Sequence, residues 1–153
     1  MTESTTRVPA AGEHPAVDGY RPPETMLRED RASTELLGMK VVEMSEGHAV
    51  VTMVVREDMA NGHGITHGGL VFTLADTAFA MACNAEGSVT VSSGAEITYF
   101  APTRVGEELT ATAQLRSMRG RSGIYDVEVR ADSAVVAEFR GHSRRMNLPG
   151  EHA

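Results

Sequence analysis

One cysteine, Cys83, is the chain's only thiol, so no intrachain disulfide can form and nothing calls for an oxidising compartment. Cys83 lies in an apolar stretch with no cationic neighbour in sequence, the setting of a buried, inert thiol rather than a nucleophile. No apolar run approaches the ~18 residues of a membrane span, and the N-terminus lacks the apolar centre of a signal peptide. Cytoplasm is the expected compartment. Positive charge is scarce as well: a net charge of −7 over 153 residues disfavours non-specific nucleic-acid binding. The balance is uneven, because Arg outnumbers Asp and Glu between residues 104 and 145, where an anionic ligand could still be met.

What is present suits one domain. Residues 1–23 hold Pro9, Pro15, Pro22 and Pro23 among scattered charges, with no periodicity that buries a face, and read as a flexible tail. Residues 24–147 read as the folded domain and 148–153 as a C-terminal tail. Within the domain, Met26, Leu27, Leu36 and Leu37 predict a short amphipathic helix over Glu24–Leu37, ending at Gly38. KVVEM and HAVVTMVVR predict a hairpin turning at Ser45-Glu46-Gly47, its second strand apolar on both faces and so expected to be covered on both sides. Four further strands are expected over Val89–Phe100, Glu108–Met118, Gly123–Ala131 and Val135–Arg144. Leu109, Ala111 and Ala113 alternate with polar residues, as do Tyr125, Val127 and Val129, so each of these strands has one wet face. Short connections make the last three hairpin neighbours.

Between the two groups of strands lies NGHGITHGGLVFTLADTAFAMACNAEG, Asn61 to Gly87. From Gly68 to Asn84 the only formally charged residue is Asp76, in a helix that is otherwise apolar or small all round and therefore buried. An Asp there is costly, because it is a poor helix former and its carboxylate resists leaving water. A structural Asp bonded to a neighbouring strand is the plain alternative to a functional one. The fold class is α+β, a dominant helix within a curved antiparallel sheet; the helix's remaining flank must meet something else, most simply a second copy of the chain.

The turn before the helix admits three readings. His63 and His67 stand four apart, but Gly62 and Gly64 argue against a helix there and no third metal ligand is evident. GHGITHGG puts His67 where a dinucleotide fingerprint needs glycine, and no βαβ unit surrounds it. The third reading uses the backbone: His67-Gly68-Gly69 leads into the helix, whose free N–H groups and positive dipole end stabilise developing negative charge, with no Cβ to obstruct a carbonyl. Gly68 and Asp76 are separated by ~12 Å along the axis at 1.5 Å per residue. They cannot both reach one carbonyl of a bound ligand unless the Asp comes from an antiparallel helix of a second subunit, which requires a two-fold dimer.

The same residues resemble the signature of the hotdog-fold acyl-CoA thioesterases, specifically the PaaI type associated with phenylacetate degradation, and the likeness extends from about Leu36 through EGHAVVTMVV to GIYDVEV and FRGHSRR. The resemblance implies a five- or six-stranded antiparallel sheet wrapped round a long helix. It makes Asp76 the catalytic carboxylate, as nucleophile or general base, and Gly68 the oxyanion donor. Asn61 matches the position that orients substrate or water, His67 the position beside the donor, and Thr77 a residue of the partner-side pocket; Gly69 shares the open turn. Coenzyme A is implied as part of the substrate, with no separate cofactor and no metal, in a homotetramer made of two dimers. For its phosphates, Arg119 and Arg121 in a turn, and Ser143 and Arg144 after a strand, are chosen on chemistry, since Arg presents a planar fork of donors. In TYFAP, Ala101 stands where related sequences often carry a basic residue, which puts a CoA contact there in doubt.

Two rivals remain: a hotdog dehydratase or hydratase using His67 and Asp76, and a non-catalytic acyl-CoA sensor. Leu70, Phe72, Met81 and Asn84 are the candidate lining of an acyl pocket.

Overall fold

The computed structural model describes residues 23–86 and 89–147. The tails expected over residues 1–22 and 148–153 lie outside the described residues, and Pro23, assigned to the tail, is instead the first residue of helix α1 (Pro23–Glu29). Proline suits that position, where its missing N–H would have no partner. The single helix expected up to Leu37 is interrupted at Asp30. Its carboxylate accepts from the Ser33 N–H at 3.1 Å and the Ser33 hydroxyl at 2.8 Å, and the chain restarts as a wide π-helical turn, Ala32–Leu36, with the Leu37 N–H donating to the Ala32 carbonyl.

Strands β1 (Lys40–Ser45) and β2 (His48–Val54) form the expected hairpin, and Gly47 takes the left-handed conformation in its turn, φ 69°. Helix α2 runs from Gly68 to Asn84. Strands β3 (Thr90–Tyr99), β4 (Glu108–Arg119), β5 (Ser122–Ala131) and β6 (Ala134–Arg145) follow, and all six make one antiparallel sheet in the order β1-β2-β4-β5-β6-β3. β3 crosses to the far edge to pair with β6, Tyr99 opposite Ala137, and its other edge takes no strand among the described residues. No helix among the described residues is long and apolar enough to cross a membrane.

The sheet curls round α2, which packs against every strand. Leu74, Ala75, Ala78, Phe79, Met81 and Ala82 of α2 are buried against Ala49, Val51, Met53, Ala111, Ala113, Val127, Val129 and Ala137. Many of the facing sheet residues are alanines, which lets the helix backbone come close. β6 passes directly beneath Phe79, where a Cβ on Gly141 would lie 2.8 Å from the ring carbons. β2 departs from expectation: Ala49, Val51 and Met53 are buried, but Val50 and Thr52 are half-buried and Val54 is exposed, because α2 covers only one face of the sheet and no described segment layers the other.

Candidate active site

The open flank of α2 carries Gly69, Thr73, Asp76 and Ala80, successive positions three or four apart and so on one stripe of the helix. Asp76 is half-buried and takes no hydrogen bond or ion pair from any other described residue. Burial raises its carboxyl above the ordinary carboxylate range, and no neighbouring cation offsets this. The structural reading of Asp76, a carboxylate satisfied by a neighbouring strand, is therefore not the one the fold adopts.

At the N-terminus of α2 the turn is tied down on both sides. The His67 N–H donates to the Met59 carbonyl at 2.8 Å, and the Thr66 N–H to the Thr103 carbonyl at 2.8 Å. Beneath them the Thr103 hydroxyl donates to the buried Thr66 hydroxyl at 2.6 Å. His67 is the N-cap, its Nδ1 accepting the Gly69 N–H at 3.2 Å, and its carbonyl accepts from Leu70 at 2.9 Å and Val71 at 3.4 Å. That leaves the Gly68 N–H, which meets no acceptor among the described residues. No acidic residue occupies the first turn to neutralise the positive end of the helix. Of the amides here, Gly68 alone is available to an outside oxygen.

The cap yields a prediction. His67→Ala should destabilise the protein by about 1 kcal/mol, the usual cost of an N-cap, whereas His67→Asn, whose side-chain oxygen can take the same N–H, should restore most of it. Thermal denaturation of the two variants checks this, and equal loss in both would exclude the capping role.

Asn61 holds the loop from the other side: its Oδ1 accepts from the His63 N–H at 2.9 Å and the Ile65 N–H at 3.4 Å, so its NH2 is the end left to a ligand. Asn61, Gly68, Ile65, Val71, Tyr99, Phe100 and Val136 are among the residues that line a cavity of about 450 Å³. Tyr99, which the sequence does not single out for the site, donates its hydroxyl to the Gly68 carbonyl at 2.8 Å.

Other expected residues fall elsewhere. Thr77 is off the open flank: it is buried, bonded to the Thr73 carbonyl at 2.8 Å, and 3.2 Å from the Ser33 hydroxyl, so the N-terminal segment closes over it. Met81 is core, and Asn84 spends its side chain on the Ala80 and Thr90 backbone, while Leu70 and Phe72 are half-buried. Cys83 is partly buried, and burial pushes its thiol up to about 12, consistent with an inert group. Of the residues chosen for phosphate, Arg119 lines a groove of about 330 Å³ with Ser93, Ser117, Ser122 and His142, and Arg144 donates to the Ser122 hydroxyl at 3.0 Å nearby. Arg121 donates to the Asn147 side chain instead. Ser143 lines the same groove as Arg119 but is only 1% exposed, its hydroxyl packed over Gly123, where there is no Cβ in the way.

The sequence model of the thioesterase superfamily matches residues 63–138, from the turn before α2 to the first residues of β6. Acyl-coenzyme A thioesterase PaaI of Escherichia coli is 47% identical over 121 residues, covering 78% of this chain and 86% of that protein. This chain belongs to the thioesterase superfamily. The solved structure of the E. coli PaaI protein, from the phenylacetic acid degradation operon, superposes with a TM-score of 0.78 at 43% identity, covering 82% of this chain and 92% of that one. Human acyl-coenzyme A thioesterase 13 is 36% identical over 110 residues, 69% of this chain and 78% of that protein. The likeness to PaaI-type hotdog thioesterases seen in the Asn61–Gly87 segment therefore holds for the whole fold, and the chain is an enzyme of that group.

Proposed function

We propose that this thioesterase hydrolyses acyl-CoA thioesters, with aryl-acetyl groups such as phenylacetyl or hydroxyphenylacetyl as its preferred acyl class, at two equivalent sites across a homodimer. One observation carries the reading: an unsatisfied helix-terminal N–H and an unpaired, half-buried carboxylate lie on one helix, but ~12 Å apart at 1.5 Å per residue. A two-fold axis that sets two copies of α2 antiparallel brings Asp76 of the partner subunit beside Gly68. The strand-free edge of β3, most of whose residues are exposed, supports the same axis, since edge-to-edge pairing there would continue the sheet.

In this reading the thioester carbonyl accepts the Gly68 N–H, which meets the negative charge that develops on oxygen. Asp76 of the partner subunit removes a proton from water as the hydroxide adds to the carbonyl carbon, or attacks that carbon itself to give an anhydride that water then opens. In either case the C–S bond breaks, CoA leaves as thiolate and is protonated, and the acid is released. Asn61 offers its NH2 to substrate or water. The cavity walled by Ile65, Val71, Tyr99, Phe100 and Val136 suits a flat apolar acyl group. The groove of Arg119, Ser117, Ser122 and His142, with Arg144 beside it, suits the CoA phosphates.

The test is thiol release from phenylacetyl-, hydroxyphenylacetyl-, benzoyl- and straight-chain acyl-CoAs. Free thiol, fastest with the aryl-acetyl substrates, is the expected result. An intact thioester bearing a new double bond would make the protein a dehydratase, and tight binding without turnover would make it a sensor.

A further inference from the structure

The turn that presents the Gly68 N–H is built from two consecutive glycines, Gly68 and Gly69, the residues with the least backbone restraint of their own. A donor preorganised for a developing oxyanion must nevertheless be held still, because its advantage over water lies in not having to reorient. The loop before it is pinned at Thr66 and His67, and the Gly69 N–H is pinned by His67. On its carbonyl side Gly68 is held, beyond the helix's own hydrogen bonding, by Tyr99. Its hydroxyl donates to that carbonyl at 2.8 Å, and its ring end covers the Gly68 Cα so closely that an added Cβ would lie 3.2 Å from Cζ and 3.3 Å from the hydroxyl oxygen.

Tyr99 is itself well anchored. It ends β3 opposite Ala137, and the two residues after it are held by the Val136 carbonyl, to which the Phe100 N–H donates at 2.8 Å and the Ala101 N–H at 3.3 Å. Burial raises the phenol further above its ordinary range, so it remains a donor throughout the neutral region.

We infer that Tyr99 is a positioning residue for thioester hydrolysis: it clamps the Gly68–Gly69 peptide at its carbonyl and covers the Gly68 Cα, and through that shared Cα it steadies the preceding His67–Gly68 amide, whose N–H keeps its aim at the substrate carbonyl. The inference rests on the reading of Gly68 given above. Tyr99 does not touch the reacting atoms. Its contribution passes through the backbone, and its ring forms a wall of the cavity of about 450 Å³.

Tyr99→Phe keeps the ring and removes the hydroxyl. Losing an oxyanion donor outright costs ~10²–10³ in kcat; loosening one should cost less, on the order of tenfold, with KM for phenylacetyl-CoA changed less than about twofold because the cavity wall is intact. The second readout needs no substrate: amide hydrogen exchange at Gly69 and Leu70 should quicken in Tyr99→Phe, while exchange in the middle of α2 stays as in wild type. Both changes together are the expected result. Unchanged kcat overturns the inference whatever exchange does, and a fall in kcat with unchanged exchange at Gly69 and Leu70 overturns the positioning role. A wild-type protein inert toward every acyl-CoA is a separate failure, that of the underlying hydrolase reading.

Discussion

Asp76→Asn is expected to lose about 10²–10⁴-fold in kcat, the contribution of a positioned base, with little change in KM, because the amide keeps the shape of the carboxylate but neither its basicity nor its nucleophilicity. The same variant should melt at a higher temperature than wild type at neutral pH. The sign follows from burial, which raises the carboxyl of Asp76 in the folded protein. A group whose folded pKa is raised favours the folded state most fully below its unfolded pKa, and that contribution is lost as pH rises through the folded value. Once the pH passes the folded value the wild type therefore holds an ionised carboxylate where the fold resists one, and asparagine removes the charge. Catalysis requires that ionised form, the one the fold disfavours. The wild-type kcat/KM should fall on the acid side as Asp76 becomes protonated, at a pH above the ordinary carboxylate range. Thiol-release rates against pH and melting curves for both proteins check these expectations, and hydrolysis by Asp76→Asn at the wild-type rate would remove Asp76 from the site. Activity maintained at the expense of stability is the usual signature of a functional residue.

The largest effect on stability is expected at Phe79, one turn beyond Asp76. Its ring faces Gly141, meets Tyr125 edge-on with centroids 5.4 Å apart, and lies tilted against Phe139 at 5.9 Å. Phe79→Ala removes that contact among residues too well packed to close the space, and should cost about 3–5 kcal/mol, a fall in Tm on the order of 10 °C for a chain this long. Because Phe79 seats α2 on β5 and β6, the loss should also blur the placement of Asp76. Denaturant unfolding gives the free energy directly, and a cost below about 1 kcal/mol would mean that the helix is not anchored there.

Most of the architecture was readable because it rests on short-range pattern. The near-continuous apolar run round Asp76, entered through His67-Gly68-Gly69, marked α2, and alternation along β4 and β5 marked which side meets the helix. The partner of β3 was not readable in the same way. Its residues are nearly all exposed, so no apolar stripe records which strand lies beside it, and pairing with β6 is decided by how the sheet closes. β2 misled for a related reason: Val50 and Val54 look like core in sequence, yet they sit on the face α2 does not reach. At the candidate site, Gly68 and Asp76 announced themselves by chemistry that is odd for their surroundings. Tyr99 did not, because an isolated tyrosine at a strand end carries no spacing, and its bond to Gly68 exists only once β3 has crossed the sheet. Thr77 was misplaced because the hydroxyl that closes over it belongs to Ser33, in a π-helical turn no periodicity predicts.

The donor proposed at Gly68 also affects what mutagenesis can reveal about this enzyme. A main-chain N–H survives every side-chain replacement except proline. Gly68→Ala would report a collision with the Tyr99 phenol, 3.2 Å from the new methyl, and nothing about the hydrogen bond. A library of single-codon changes would therefore remove the carboxylate outright but reach the donor only through its neighbours. Semisynthesis with an ester linkage in place of the His67–Gly68 amide deletes that hydrogen and almost nothing else.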